Sequence, residues 1–160
     1  MGRELERKFL VTNDRWRRRA GRGVIYRQGY LSTDPKRSVR VRVAGEKAAI
    51  TIKSETVGAG RDEYEYPIPK EEAERMLRTL CVKPLIKKTR YVIKKGKLKW
   101  ELDRFAAENR GLVIAEVELK DAKQDIEKPD WLGDEVTGDK RYFNLSLVKH
   151  PYSEWGVLRK

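Results

Sequence analysis

Ionisable side chains recur at every second position through seven short segments of this chain, and that period of two constrains its fold more than any other feature. Side chains alternate across a β-strand, so residues two apart share a face. Glu4, Glu6 and Lys8 therefore face one way while Leu5 and Phe9 face the other, and Arg40 and Arg42 oppose Val39, Val41 and Val43. Lys53 opposes Ile50 and Ile52, and Glu63 and Glu65 oppose Tyr64 and Tyr66. Lys88 and Arg90 oppose Tyr91 and Ile93, Glu101 and Asp103 oppose Trp100 and Leu102, and Glu116 and Glu118 oppose Val117 and Leu119. The alternation predicts strands over 4–11, 26–31, 39–43, 48–53, 61–68, 87–93, 98–103 and 112–119. Eight strands in one small domain make a mainly β protein, a barrel or a sandwich.

Helical spacing interrupts the strands once. Over 69–80, Ala73, Met76, Leu77 and Leu80 recur at a helical period with Glu71, Glu72 and Glu74 near the start, which predicts an amphipathic helix packed on the sheet. Shorter helices are expected at 13–20, 120–127 and 144–149, and the Pro and Gly content of 128–138 reads as a loop. Without a repeat or linker, 1–160 reads as a single domain, long enough to bury a core without disulfides. The lone Cys81 reads as a small buried residue. The charged N-terminus, and the lack of eighteen consecutive apolar residues, predict a soluble, cytoplasmic protein with no membrane partner. A formal charge of +12 attracts polyanions of any kind.

An ordinary half-exposed sheet also carries a charged outer face. Here, however, the faces are almost purely ionisable and several bear one sign, an arrangement in which like charges repel. The repulsion is relieved if the faces converge on a lumen where acidic and basic strands oppose one another. Such a lumen would set Glu4, Glu6, Glu63, Glu65, Glu101, Asp103, Glu116 and Glu118 against Lys8, Arg40, Arg42, Lys53, Lys88 and Arg90, an acidic excess of two. Two divalent ions would nearly balance a triphosphate brought into it. Mg²⁺ or Mn²⁺ takes carboxylate and phosphate oxygens, and Arg grips phosphate with two parallel donors. A Walker loop, a Cys/His metal cluster and a nucleophile elbow are all missing from the sequence.

The run Glu4-Leu5-Glu6-Arg7-Lys8-Phe9-Leu10-Val11 carries the ExExK pattern. In order follow Arg27-Gln28-Gly29-Tyr30-Leu31, the pair Arg40/Arg42, Thr51-Ile52-Lys53-Ser54, Glu63-Tyr64-Glu65, Lys88-Thr89-Arg90-Tyr91 and Glu116-Val117-Glu118. Together with Glu135-Val136-Thr137 and Asp139-Lys140-Arg141-Tyr142, this series resembles the CYTH superfamily, the triphosphate tunnel metalloenzymes, and most of all its bacterial inorganic triphosphatases. The resemblance implies an eight-stranded closed antiparallel barrel with a few packing helices and a tunnel open at its ends as the active site. It implies metal binding by Glu4, Glu6, Glu116 and Glu118, with the first and last strands adjacent. Lys8, Arg40, Arg42, Lys53, Lys88 and Arg90 would clamp phosphates, while Glu63, Glu65, Glu101 and Asp103 would orient those bases or assist a second metal and its water. The implied reaction is metal-dependent hydrolysis of tripolyphosphate to diphosphate and phosphate with two Mg²⁺ or Mn²⁺ ions. A class IV-type adenylate cyclase, a nucleoside, thiamine or RNA 5′-triphosphatase, and a non-catalytic polyanion-binding module are the alternatives.

Other residues carry weaker expectations. Tyr30 would touch substrate or seal the tunnel, and Lys140 and Arg141 would close over the phosphates or lie on the surface. His150 reads as structural, and Trp16, Trp100, Trp131 and Trp155 as buried packing. The cluster Arg15, Arg17, Arg18, Arg19 and Arg22 would steer polyphosphate, contact nucleic acid, or simply solvate the exterior.

Overall fold

Every alternating segment becomes a strand in the computed structural model, which describes residues 2–58, 60–121 and 123–156, with backbone alone for 2–4. In chain order these are β1 (Gly2–Val11), β2 (Val24–Ser32), β3 (Arg37–Ala44), β4 (Lys47–Ser54), β5 (Gly60–Pro67), β6 (Ile86–Lys95), β7 (Leu98–Phe105) and β8 (Val113–Glu118). They join in the order β5-β4-β3-β2-β6-β7-β8-β1, each neighbour antiparallel, and β1 also pairs with β5. The ring is therefore closed, and it is the barrel rather than the sandwich. Closure removes the free sheet edges that an open sheet would expose.

The first and last barrel strands are neighbours, as expected, with Glu6 opposite Glu118 and Lys8 opposite Glu116. β1 gives residues 6–10 to β8 on one edge; on the other, Gly2–Leu5 pair with β5, and Phe9 and Val11 with a ninth strand, β9 (Leu132–Glu135). That strand lies in the stretch expected to be a loop. Its four residues have no apolar alternation, and its pairing comes from the edge of β1 that β5 does not reach. Gly133 is needed there: a Cβ would sit 2.5 Å from Thr12 Cγ2 and 3.3 Å from the Leu10 carbonyl oxygen.

Because charge fills the inside, the apolar core lies mostly outside the barrel. Phe9, Ile93, Trp100, Leu102, Ala115 and Val117 point outward and are covered by Trp16, Leu119 and Trp131. On another face, α1 (Lys70–Thr79) lays Ala73 and Leu77 on Val41 and Val43 of β3. Cys81 is buried beside them, whereas Leu80, expected in the apolar stripe, falls past the helix end and is 65% exposed. At one end the inward positions turn apolar: Tyr30, Ile86, Phe105 and Ile114 pack with Leu147 and Val148 of α2 (Asn144–Lys149) and with Trp155. This plug corrects the expectation of a passage open at both ends.

The helix expected at 13–20 is realised as one 3₁₀ turn, Arg15–Arg18, which buries Trp16. The helix expected at 120–127 is absent among the described residues. Its amides are taken by side chains instead, Lys120 N–H by Gln124 Oε1 and Lys123 N–H by Asp121 Oδ1, which favours a turn. Leu77→Ala would open a cavity under α1, remote from the lumen, and is expected to cost about 2–5 kcal/mol in a denaturant titration.

Candidate active site

The inward faces enclose a cavity of about 420 Å³. Its described lining sets Lys8, Arg40, Arg42, Lys53, Arg61, Lys88, Arg90 and Lys140 against Glu6, Glu55, Glu63, Glu65, Glu101, Glu116 and Glu118. The expected acidic excess is thus reversed among the described side chains. Arg61 and Lys140 add positive charge, and Asp103 stands behind the lining rather than on it. The side chain of Glu4 lies outside the described residues; its backbone pairs with Arg61.

Acids and bases meet across the strands. Lys8 Nζ lies 3.5 Å from Glu116, Lys53 Nζ 3.3 Å from Glu63, an Arg90 guanidinium nitrogen 3.4 Å from Glu101, and Arg40 and Arg61 each 3.9 Å from Glu65 and Glu6. The tightest group is buried: Arg90 donates two hydrogen bonds of 2.7 and 2.8 Å to Asp103, and Lys88 Nζ stands 2.7 Å from the same carboxylate. Asp103 therefore holds Lys88 and Arg90 together from behind, and it is not itself part of the cavity lining.

Burial sets the protonation of these groups. It pushes the Lys88 ammonium down, and Arg90 and Arg42 add to that against Asp103, so Lys88 falls to about 7. Burial alone would raise the Asp103 carboxyl, but Lys88 and Arg90 overcome it and hold it down at about 2. Burial, with Arg40 and Arg90 close by, lowers Arg42 to about 10. Burial would likewise raise the Glu116 carboxyl; Lys8 and a hydrogen bond shared with Glu6 hold it below the ordinary range.

Two features of the lining suit an anion and a cation. Arg40 is 7% exposed, and its buried Nε has no hydrogen-bond partner among the described residues although another guanidinium nitrogen donates to Thr51. An anion in the cavity would satisfy that donor. The Glu6 and Glu116 carboxyls lie close together, and Glu118 stands opposite Glu6 in the ladder, so carboxylates are pressed together where a hard divalent cation would relieve them. No group of three such ligands is drawn together among the described residues. The pair Glu6/Glu116 fits as the start of a cation site, with Glu118 and Glu4 the further candidates.

Several lining residues went unnoticed in the sequence. Arg61 was legible, two positions before Glu63 on the same face. Tyr26 was also in phase, two before Gln28; its ring lies 4.8 Å from the Arg42 guanidinium and 4.9 Å from that of Arg90. Phe143, Asn144 and Ser146 reach the cavity from the start of α2, which no strand pattern could reveal. Tyr30 both lines the cavity and joins the plug. Of the suspected lid pair, Lys140 lines the cavity, while Arg141 pairs with Asp139 at 2.7 Å and covers Tyr142 and Trp155. All four tryptophans are buried in the packing clusters, and His150 is exposed beside Trp155. Arg15, Arg17, Arg18, Arg19 and Arg22 are exposed on the exterior.

The family model for the CYTH domain matches residues 2–152. The inorganic triphosphatase of Acetivibrio thermocellus is 50% identical over 155 residues, 97% of this chain and 99% of that protein. The inorganic triphosphatase of Nitrosomonas europaea is 41% identical over 153 residues, 91% of this chain and 96% of that protein. A crystal structure of an inorganic triphosphatase matches with a TM-score of 0.64 at 38% identity, covering 91% of this chain and 97% of the other.

Asp103→Asn leaves Lys88 and Arg90 buried without their counter-charge and is expected to cost about 3–5 kcal/mol of stability, read by urea unfolding. Asp103 and Glu116 both sit below their ordinary values of 3.8 and 4.5, so as pH falls the unfolded chain takes up protons first. The stability these two carboxylates contribute should therefore be fully present above about pH 4.5 and decline as pH falls toward about 2, and Asp103→Asn should flatten that decline.

Proposed function

The chain belongs to the CYTH domain family, and from that premise we propose that it hydrolyses inorganic triphosphate to diphosphate and phosphate inside the barrel. It is an enzyme of the triphosphatase class. The observation that carries the substrate reading is the convergence of Arg40, Arg42, Lys88 and Arg90 on one cavity, with a buried Arg40 donor left over for an anion.

Bound there, a triphosphate would take bidentate contacts from the arginines and point contacts from Lys8, Lys53 and Lys88. Positioning and charge neutralisation are what phosphoryl transfer to water requires, since the loose transition state leaves charge spread over the equatorial oxygens. Asp103 keeps Lys88 and Arg90 aimed; Glu63 and Glu101 hold Lys53 and Arg90 from adjacent strands, and Glu65 reaches Arg40 across β4. Mg²⁺ or Mn²⁺ held by Glu4, Glu6, Glu116 and Glu118 would supply Lewis-acid neutralisation at the phosphate oxygens. The apolar plug keeps bulk water from one end of the cavity, which strengthens each of these charge contacts. Lys140, just ahead of the start of α2, lines the cavity where it can approach a bound phosphate.

The contacts offered by the lysines and arginines suit the phosphates shared by all the candidate substrates. Phosphate release from tripolyphosphate and from ATP, measured in parallel with Mg²⁺ or Mn²⁺, tests the reading. Tripolyphosphate should be strongly preferred, EDTA should abolish release, Ca²⁺ should fail to restore it, and Glu116→Gln should lower kcat by at least about a hundredfold. Preference for ATP, or full activity in EDTA, would overturn it.

A further inference from the structure

Three of the clamp cations are not independent. Arg42 Nε donates to Gln28 Oε1 at 3.2 Å, and Gln28 Nε2 donates to Asn144 Oδ1 at 2.9 Å. The same Asn144 oxygen accepts from Lys88 Nζ, also at 2.9 Å, and Lys88 continues to Asp103 and so to Arg90. A continuous belt thus runs Arg42, Gln28, Asn144, Lys88, Asp103, Arg90. Gln28 is fully buried, and Lys88 and Asp103 are 2% and 1% exposed, so the links through them lie in surroundings where a lost hydrogen bond is costly.

The orientation of Asn144 follows from its partners. Both groups at its oxygen are donors, so the amide cannot be reversed without setting N–H against N–H. An ammonium has three N–H bonds; Asp103 and Asn144 take two of those on Lys88, and the third is left for the cavity that Lys88 lines. Removing Asn144 would leave the ammonium tied to Asp103 alone and free to swing about it. Asn144 itself is fixed by α2, whose Leu147 and Val148 are buried in the plug.

We propose that Asn144, with Gln28, is a positioning residue for the phosphate clamp: it aims Lys88, links it to Arg42, and ties both to the packing of the plug. The proposal rests on the triphosphate reading above for the identity of its ligand.

The test is calorimetric titration of tripolyphosphate into the metal-free protein in EDTA, so that only the clamp is read. Asn144→Ala should weaken binding about tenfold, the scale of a hydrogen bond to a charged group. In a Lys88→Met background the same change should add less than about twofold, because its effect passes through Lys88. Gln28→Met, isosteric and on a different element, should also weaken binding and be less than additive with Asn144→Ala; it serves as the independent probe if Asn144→Ala lowers the thermal midpoint. Wild-type-like binding by Asn144→Ala and Gln28→Met would overturn the proposal, as would an undiminished effect of Asn144→Ala without Lys88. Hydrolysis by the wild type is assayed separately: a protein that binds tripolyphosphate without cleaving it would refute the catalytic reading and leave the positioning role standing.

Discussion

Confining charge to the inside of a closed sheet is the constraint on which the rest of this fold depends. An ordinary small barrel fills its interior with apolar side chains and faces water outside. Here the interior belongs to lysine, arginine and carboxylate, so the apolar core is displaced to the outer wall, where α1 and the Trp16 and Trp131 segments must cover it. The helices and long connections are therefore structural necessities of the lumen. The apolar plug around Phe105 and Leu147 ends the cavity and carries Asn144 to its edge.

Buried charges stabilise a fold only when each has a partner of good geometry. The Lys88–Asp103–Arg90 group meets that condition from behind the cavity wall, which leaves the cation tips turned to the front. The carboxylates opposite do not meet it as well. Glu6 faces Glu118 and Glu101 faces Glu116 across the ladder, like charges in register that a sheet selected for stability alone would avoid. That residual repulsion, like the orphaned Arg40 Nε, is the kind of local conflict expected where a ligand completes the structure.

The barrel strands were legible because a period of two survives in sequence whatever surrounds it, and the ordered ionisable pairs were legible for the same reason. Apart from Arg61 and Tyr26, which share the period of their strands, what escaped had no local period. β9 is held by an unfilled edge of β1 rather than by its own pattern, and the turn after Leu119 is decided by Asp121 and Gln124 competing for backbone amides. In the lumen, Asp103 has the parity of a lining residue but not the depth, because register and barrel tilt decide which inward residue reaches the cavity. Asn144 and Phe143 enter from a helix and could be placed only by the fold.

The most direct test of the central claim is where the anion sits: a crystal structure of the protein with tripolyphosphate in the absence of divalent cations. The account predicts phosphorus atoms within the barrel, contacted by Arg40, Arg42, Lys88 and Arg90, with Arg40 Nε newly bonded. An empty lumen with the anion on the exterior arginines between Arg15 and Arg22 would contradict it.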